Sequence, residues 1–123
     1  MKLQYDSLDV MLAELRHLDT RAVRLSPITQ METAVPPASV PLVTRRLAVT
    51  AVVDDRLWAE WRLWVGCGLA EVNHHGDLGV PESLERRTRR RLDEVRERLD
   101  AMGFRCREGV IAPDNAVLDA LAL

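Results

Sequence analysis

Leucine or methionine occupies positions 8, 11, 12, 15 and 18, the i, i+3, i+4, i+7 spacing of one apolar stripe on an amphipathic helix. Asp6 or Ser7 is placed to cap its start, and Asp9 falls in the first turn, where the helix dipole favours an anion. The pattern stops at Asp19-Thr20. A short strand is predicted over Ala22–Ile28, with Val23 and Leu25 on one face and Pro27 marking a sheet edge or the strand's end. Residues 30–43 (QMETAVPPASVPLV) contain three prolines and a single charge, Glu32, and read as a long loop.

Two β-rich runs follow, Thr44–Val53 and Leu57–Gly66. A two-residue turn at Asp54-Asp55 would set Val49 against Glu60 and Leu47 against Arg62. Including Arg56 in the turn instead pairs Val53 with Leu57, Ala51 with Ala59, Val49 with Trp61 and Leu47 with Leu63. Every pair on that face is then apolar, and burial of one face is what fixes register. The three-residue turn is therefore expected, although it lacks the glycine common in such loops.

Residues 67–80 (CGLAEVNHHGDLGV) read as a glycine-punctuated loop. A second helix is predicted from about Pro81, with Leu84, Leu92, Val95, Leu99 and Met102 as its stripe and Gly103 as its stop. Phe104–Ile111 reads as a last strand. The order α-β-β-β-α-β predicts an α+β fold: a mostly antiparallel four-stranded sheet with two helices packed on one face. Residues 1–112 form the single domain on this reading, and 113–123 a short C-terminal helix or tail.

Three tryptophans fall within LWAEWRLWVG, residues 57–66, and strand alternation separates them. Trp61 shares the apolar face of the hairpin. Trp58, Glu60, Arg62 and Trp64 point the other way, toward Val52, Thr50, Ala48 and Arg46. Two indoles left open there approach the size at which an apolar patch marks an interaction site. Alternatively, loop 30–43 or the C-terminal AVLDALAL covers the face, or Arg46 stacks on Trp64 while Arg62 covers Trp58. The favoured expectation is a partner-binding face made of Trp58, Arg62, Trp64 and Arg46, with a second copy of the chain or another protein as partner.

Composition narrows the remaining options. The 123 residues carry a net charge of −2, which gives no global attraction to nucleic acid or anionic membrane. No apolar run has membrane-spanning length, and the N-terminus lacks a secretory pattern, so a cytoplasmic location is expected. Cys67 and Cys106 stand far apart without a CxxC spacing and are expected to be free thiols.

The sharpest charge feature is ERRTRRR, Glu85–Arg91, five arginines near a helix start, where the dipole opposes them. Glu82–Arg86 and Glu85–Arg89 are well-oriented i,i+4 pairs, and Asp93 and Glu94 follow Arg89 and Arg90 by four. Arg87 and Arg91 are then least committed. The alternative function is nucleic-acid association through Arg86, Arg87, Arg90 and Arg91.

NHHGD, Asn73–Asp77, together with Cys67 offers zinc-ligand types without regular spacing, so surface histidines are expected and no metal is assigned. His17 lies outside the leucine stripe. Neither cysteine sits in a context that activates a thiol, no phosphate-binding glycine loop occurs, and no cofactor or catalytic residue is assigned. The element order resembles, in topology, the core of the PD-(D/E)xK nucleases, with Glu60-Trp61-Arg62 similar to their acid-x-basic element. That pattern also wants an acid near the start of the preceding strand, where Arg45 and Arg46 stand. Nuclease chemistry at Glu60 is the enzymatic extension of the nucleic-acid reading.

Overall fold

The computed structural model describes residues 1–18, 20, 22–33, 40–107 and 110–113. The elements in chain order are β1 (Lys2–Tyr5), α1 (Leu8–Leu15), β2 (Ala22–Glu32), β3 (Leu42–Val52), β4 (Trp58–Leu69), β5 (Glu71–Val72), β6 (Leu78–Gly79), α2 (Glu82–Ala101), β7 (Phe104–Arg107) and β8 (Val110–Pro113). The main sheet runs β1-β4-β3-β2-β8-β7, and β5 and β6 form a separate two-stranded ribbon. All pairings are antiparallel except β1 with β4. The class is α+β, as the periodicity implied.

Both helices cover one face of this sheet. Leu8, Met11, Leu12 and Leu15 of α1 and Leu84, Val95 and Leu99 of α2 join one core. The sheet contributes Val23, Leu25, Val43, Leu47, Val49, Ala51, Ala59, Trp61 and Val65 to the same core. Ser7 is the residue that caps α1, its hydroxyl accepting from the Val10 amide. The helix closes at Arg16, earlier than the Leu18 stripe suggested, and Leu18 is left exposed. There the Leu15 carbonyl, in the helix's last turn, accepts from the Leu18 amide and from the Thr20 hydroxyl.

The hairpin register follows the argument from apolar pairing. Ala51 faces Ala59, Val49 faces Trp61 and Leu47 faces Leu63, and the Val53 amide donates to the Leu57 carbonyl. The missing turn glycine has a substitute. Asp54 Oδ1 accepts from the amides of Arg56 and Leu57 at 2.7 and 2.9 Å, so a side chain organises the turn.

Several boundaries differ from the sequence reading. Lys2–Tyr5 forms a strand before the first helix, parallel to β4, with Lys2 beside Trp58 and Tyr5 beside Trp61. β2 does not stop at Pro27 but runs to Glu32, and Gln30, Met31 and Glu32 pair with Thr44, Val43 and Leu42. The expected loop over 30–43 is thus partly sheet. Pro27 is tolerated because, among the described residues, β2 meets β8 only at Val23 and Arg24, leaving Pro27 on a stretch with one described neighbour. The last strand is two, β7 and β8, paired with each other. Loop 67–80 contains the end of β4 and the β5–β6 ribbon. Of the tail 113–123, all but Pro113 lies outside the described residues.

One irregularity shapes the helix contact. Arg46 faces Trp64 while Arg45 faces Gly66, so Val65 is the extra residue of a bulge. Gly66 then turns toward α2, where an added Cβ would lie 3.3 Å from Leu84 Cδ1 and 2.4 Å from Arg87 Nη1. The absence of a side chain lets α2 approach β4 closely.

Candidate functional site

No helix among the described residues covers the second face of the sheet, and that face carries the two outward tryptophans. Alternation along β4 sends Trp58, Glu60, Arg62 and Trp64 outward, opposite Val52, Thr50, Ala48 and Arg46 of β3. On β2, Ala22, Arg24, Ser26 and Ile28 continue these rows, and Lys2 and Gln4 continue them on β1. Trp61, one residue from either neighbour, is only 8% exposed. Trp58 is 38% and Trp64 51% exposed, with Val52 open beside Trp58. The alternation inferred for the tryptophans therefore holds.

The face has a charged middle between two apolar ends. Glu60 accepts from Arg62 Nε at 2.6 Å and pairs with Lys2 Nζ at 3.1 Å. Burial pushes the Glu60 carboxyl upward, but the hydrogen bonds and positive charges of Arg62 and Lys2 outweigh it and hold it below the usual glutamate range. Glu60 is thus a committed anion. Arg62 Nε is engaged by Glu60, and among the described residues no cation–π contact joins Arg62 to Trp58. Arg46 does stack on Trp64, its guanidinium carbon 5.0 Å from the ring centroid, yet the ring stays half open. The expected partner-binding residues Arg46, Trp58, Arg62 and Trp64 lie on one continuous surface. Lys2 belongs there too and was missed, because a four-residue strand carries too short an alternation to recognise.

A further apolar corner lies at the far end of the same face. Cys67 faces Thr44 and Leu69 faces Leu42, and Leu69 is exposed. Cys67 is a free, exposed thiol. Of the expected covers, residues 34–39 of loop 30–43 and the C-terminal AVLDALAL lie outside the described residues.

The arginine helix is organised differently from its sequence. Glu82 pairs with Arg86 at 3.0 Å as expected. Glu85, however, reaches across to Arg45 on β3 rather than to Arg89. Asp93 pairs with Arg96 and Glu94 with Arg91, so Arg91 is not the uncommitted cation that the spacing suggested. The alternative nucleic-acid set is therefore split: Arg86 and Arg91 are ion-paired, while Arg87 and Arg90 form no salt bridge among the described residues.

Asn73–Asp77 forms the tip of the β5–β6 ribbon. Asn73 Oδ1 accepts from the amides of His75 and Asp77, and Gly76 supplies the positive φ that the turn requires. His74 and His75 sit exposed and side by side, with ring centroids 3.9 Å apart; His17 is exposed on the first helical segment's end. Among the described residues no group of three His, Cys, Asp or Glu side chains is arranged to hold a metal. Glu60 has two cations beside it rather than a second carboxylate, which is the wrong environment for a hydrolytic metal ion. No described helix is long and apolar enough to cross a membrane. No family model, curated protein or solved structure matches this chain.

Proposed function

We propose that this chain is a non-enzymatic interaction module that docks a second copy of itself through the helix-free sheet face. The observation that carries this reading is the exposure of Trp58 and Trp64 on one rigid strand, flanking Glu60 and Arg62. The outward residues of β4 read Trp-Glu-Arg-Trp. A two-fold axis lying in the interface, across the strand at the level of Trp61, sets Trp58 over the copy's Trp64 and Glu60 over its Arg62. Along β4, each tryptophan then meets a tryptophan and Glu60 and Arg62 each meet the opposite charge, twice over.

The available area suits such a contact. β2 and β3 have eleven residues each, β4 twelve and β1 four; at about 3.3 Å per residue and about 4.8 Å between strands, the face offers roughly 600 Å² in projection. That is about three quarters of the ~800 Å² per partner of a standard interface.

The test is size-exclusion chromatography with light scattering at two protein concentrations. The expected result is a dimer that Trp64→Ala converts to monomer. Arg62→Glu does the same by setting two glutamates against each other, and the double variant Glu60→Arg/Arg62→Glu restores assembly. A monomer at both concentrations, or a dimer indifferent to these variants, overturns the proposal. Salt-sensitive binding of a single-stranded oligonucleotide to a monomer, lost in Trp64→Ala, would replace it with a stacking platform.

A further inference from the structure

The helix-covered side of the sheet carries a second, independent feature. An open cleft of about 300 Å³ lies between Pro27 of β2, Arg45 of β3 and the flank of α2 that presents Glu85, Arg89, Leu92, Asp93 and Arg96. That volume is at the lower end of small-molecule sites. The α2 residues recur at helical spacing, so one flank of the helix forms a whole wall. Three guanidiniums face two carboxylates, a local charge of +1.

The arginines are incompletely satisfied. The Arg45 side chain is 8% exposed, and although one nitrogen is held by Glu85, its Nε is buried without an acceptor. Arg96 Nε is buried and unpartnered as well. Arg89 has no salt bridge among the described residues. A buried donor without a partner forfeits its hydration with no return, more so when charged, and calls for an acceptor. Glu85 shows which acceptor chemistry Arg45 takes, and being about half exposed it is free to swing outward.

We propose that this cleft binds a small organic monocarboxylate, its two oxygens taken by Arg45 and Arg89 and its apolar portion resting on Leu92 and Pro27. A planar carboxylate matches the guanidinium fork, and its single negative charge balances the cleft. A phosphate dianion carries excess charge toward Glu85 and Asp93.

The experiment is a ¹H–¹⁵N titration of the full chain, including arginine Nε–H signals, with benzoate and separately with inorganic phosphate at constant ionic strength. Expected are saturable shifts at Arg45 and Arg89 Nε–H in the millimolar range with benzoate, and weaker binding of phosphate. Arg89→Ala, at an exposed position, weakens benzoate by about tenfold, the worth of one charge-assisted hydrogen bond. Arg90→Ala, outside the cleft, leaves it unchanged. Absence of saturable shifts, equal effects of the two variants, or phosphate binding at least as tight as benzoate overturns the proposal.

Discussion

Replacing Trp61 or Trp64 by alanine removes the same atoms from one strand, three residues apart, and the fold makes the costs very different. Trp61 is 8% exposed and packs in the core shared by the sheet and both helices. Trp61→Ala should cost about 3–5 kcal/mol, the range for emptying a buried aromatic site. Trp64 is 51% exposed. Roughly 100 Å² of its contact is at stake, worth about 2.5 kcal/mol at 25 cal/mol per Å² as an upper limit. Loss of the Arg46 stacking falls within that limit, at about 0.5–1 kcal/mol. For a domain of this size one kcal/mol moves Tm by about 3–5 °C, so the two variants should separate by about 2 °C or more. The assay is urea and thermal unfolding, performed where apparent stability no longer depends on protein concentration, so that loss of assembly does not inflate the Trp64 effect. Single-tryptophan variants made with phenylalanine give the same contrast by fluorescence at a concentration where the chain is monomeric: a lone Trp61 should resist acrylamide quenching and a lone Trp64 should not. Equal destabilisation, or equal quenching, would refute the assignment of opposite faces.

The bulged glycine gives a graded test: Gly66→Ala should be nearly neutral, since Arg87 can move and the unfolded chain loses about 0.4–1 kcal/mol of freedom. Gly66→Val should cost about 1–3 kcal/mol by pressing on buried Leu84, both read by urea unfolding. Because the folded-state pKa of Glu60 is lowered, its contribution is present above the unfolded glutamate value and lost as pH falls through the folded one. The stability gap between the natural chain and Glu60→Gln should therefore be constant near neutrality and shrink below about pH 4; a gap that widens on acidification contradicts the sign. Ser7→Ala should cost about 1 kcal/mol by removing the cap of α1, and an unchanged urea midpoint would show that the cap contributes nothing.

The sequence by itself determined whatever repeats locally. The leucine stripes of α1 and α2 recur over two or more turns, so the core side of each helix could be read before any tertiary contact was known. The hairpin register was legible for the same reason: a one-residue slip would have set Val49 against Glu60. From that register the opposed faces of Trp58, Trp61 and Trp64 followed. The pairing of distant residues was not legible. β1 is four residues long and meets β4 more than fifty positions away, and nothing in KLQY announces that Lys2 will hold Glu60. Glu85 had a good partner four residues on, but the fold placed Arg45 within reach of it. Buried Arg45 gains more from that carboxylate than solvated Arg89 would, because water screens the helical pair. The bulge at Val65, the approach of α2 to Gly66 and the arginine cleft exist only once helix and sheet meet. Periodicity fixes which side of an element is apolar; only tertiary packing decides which polar side chains then face one another.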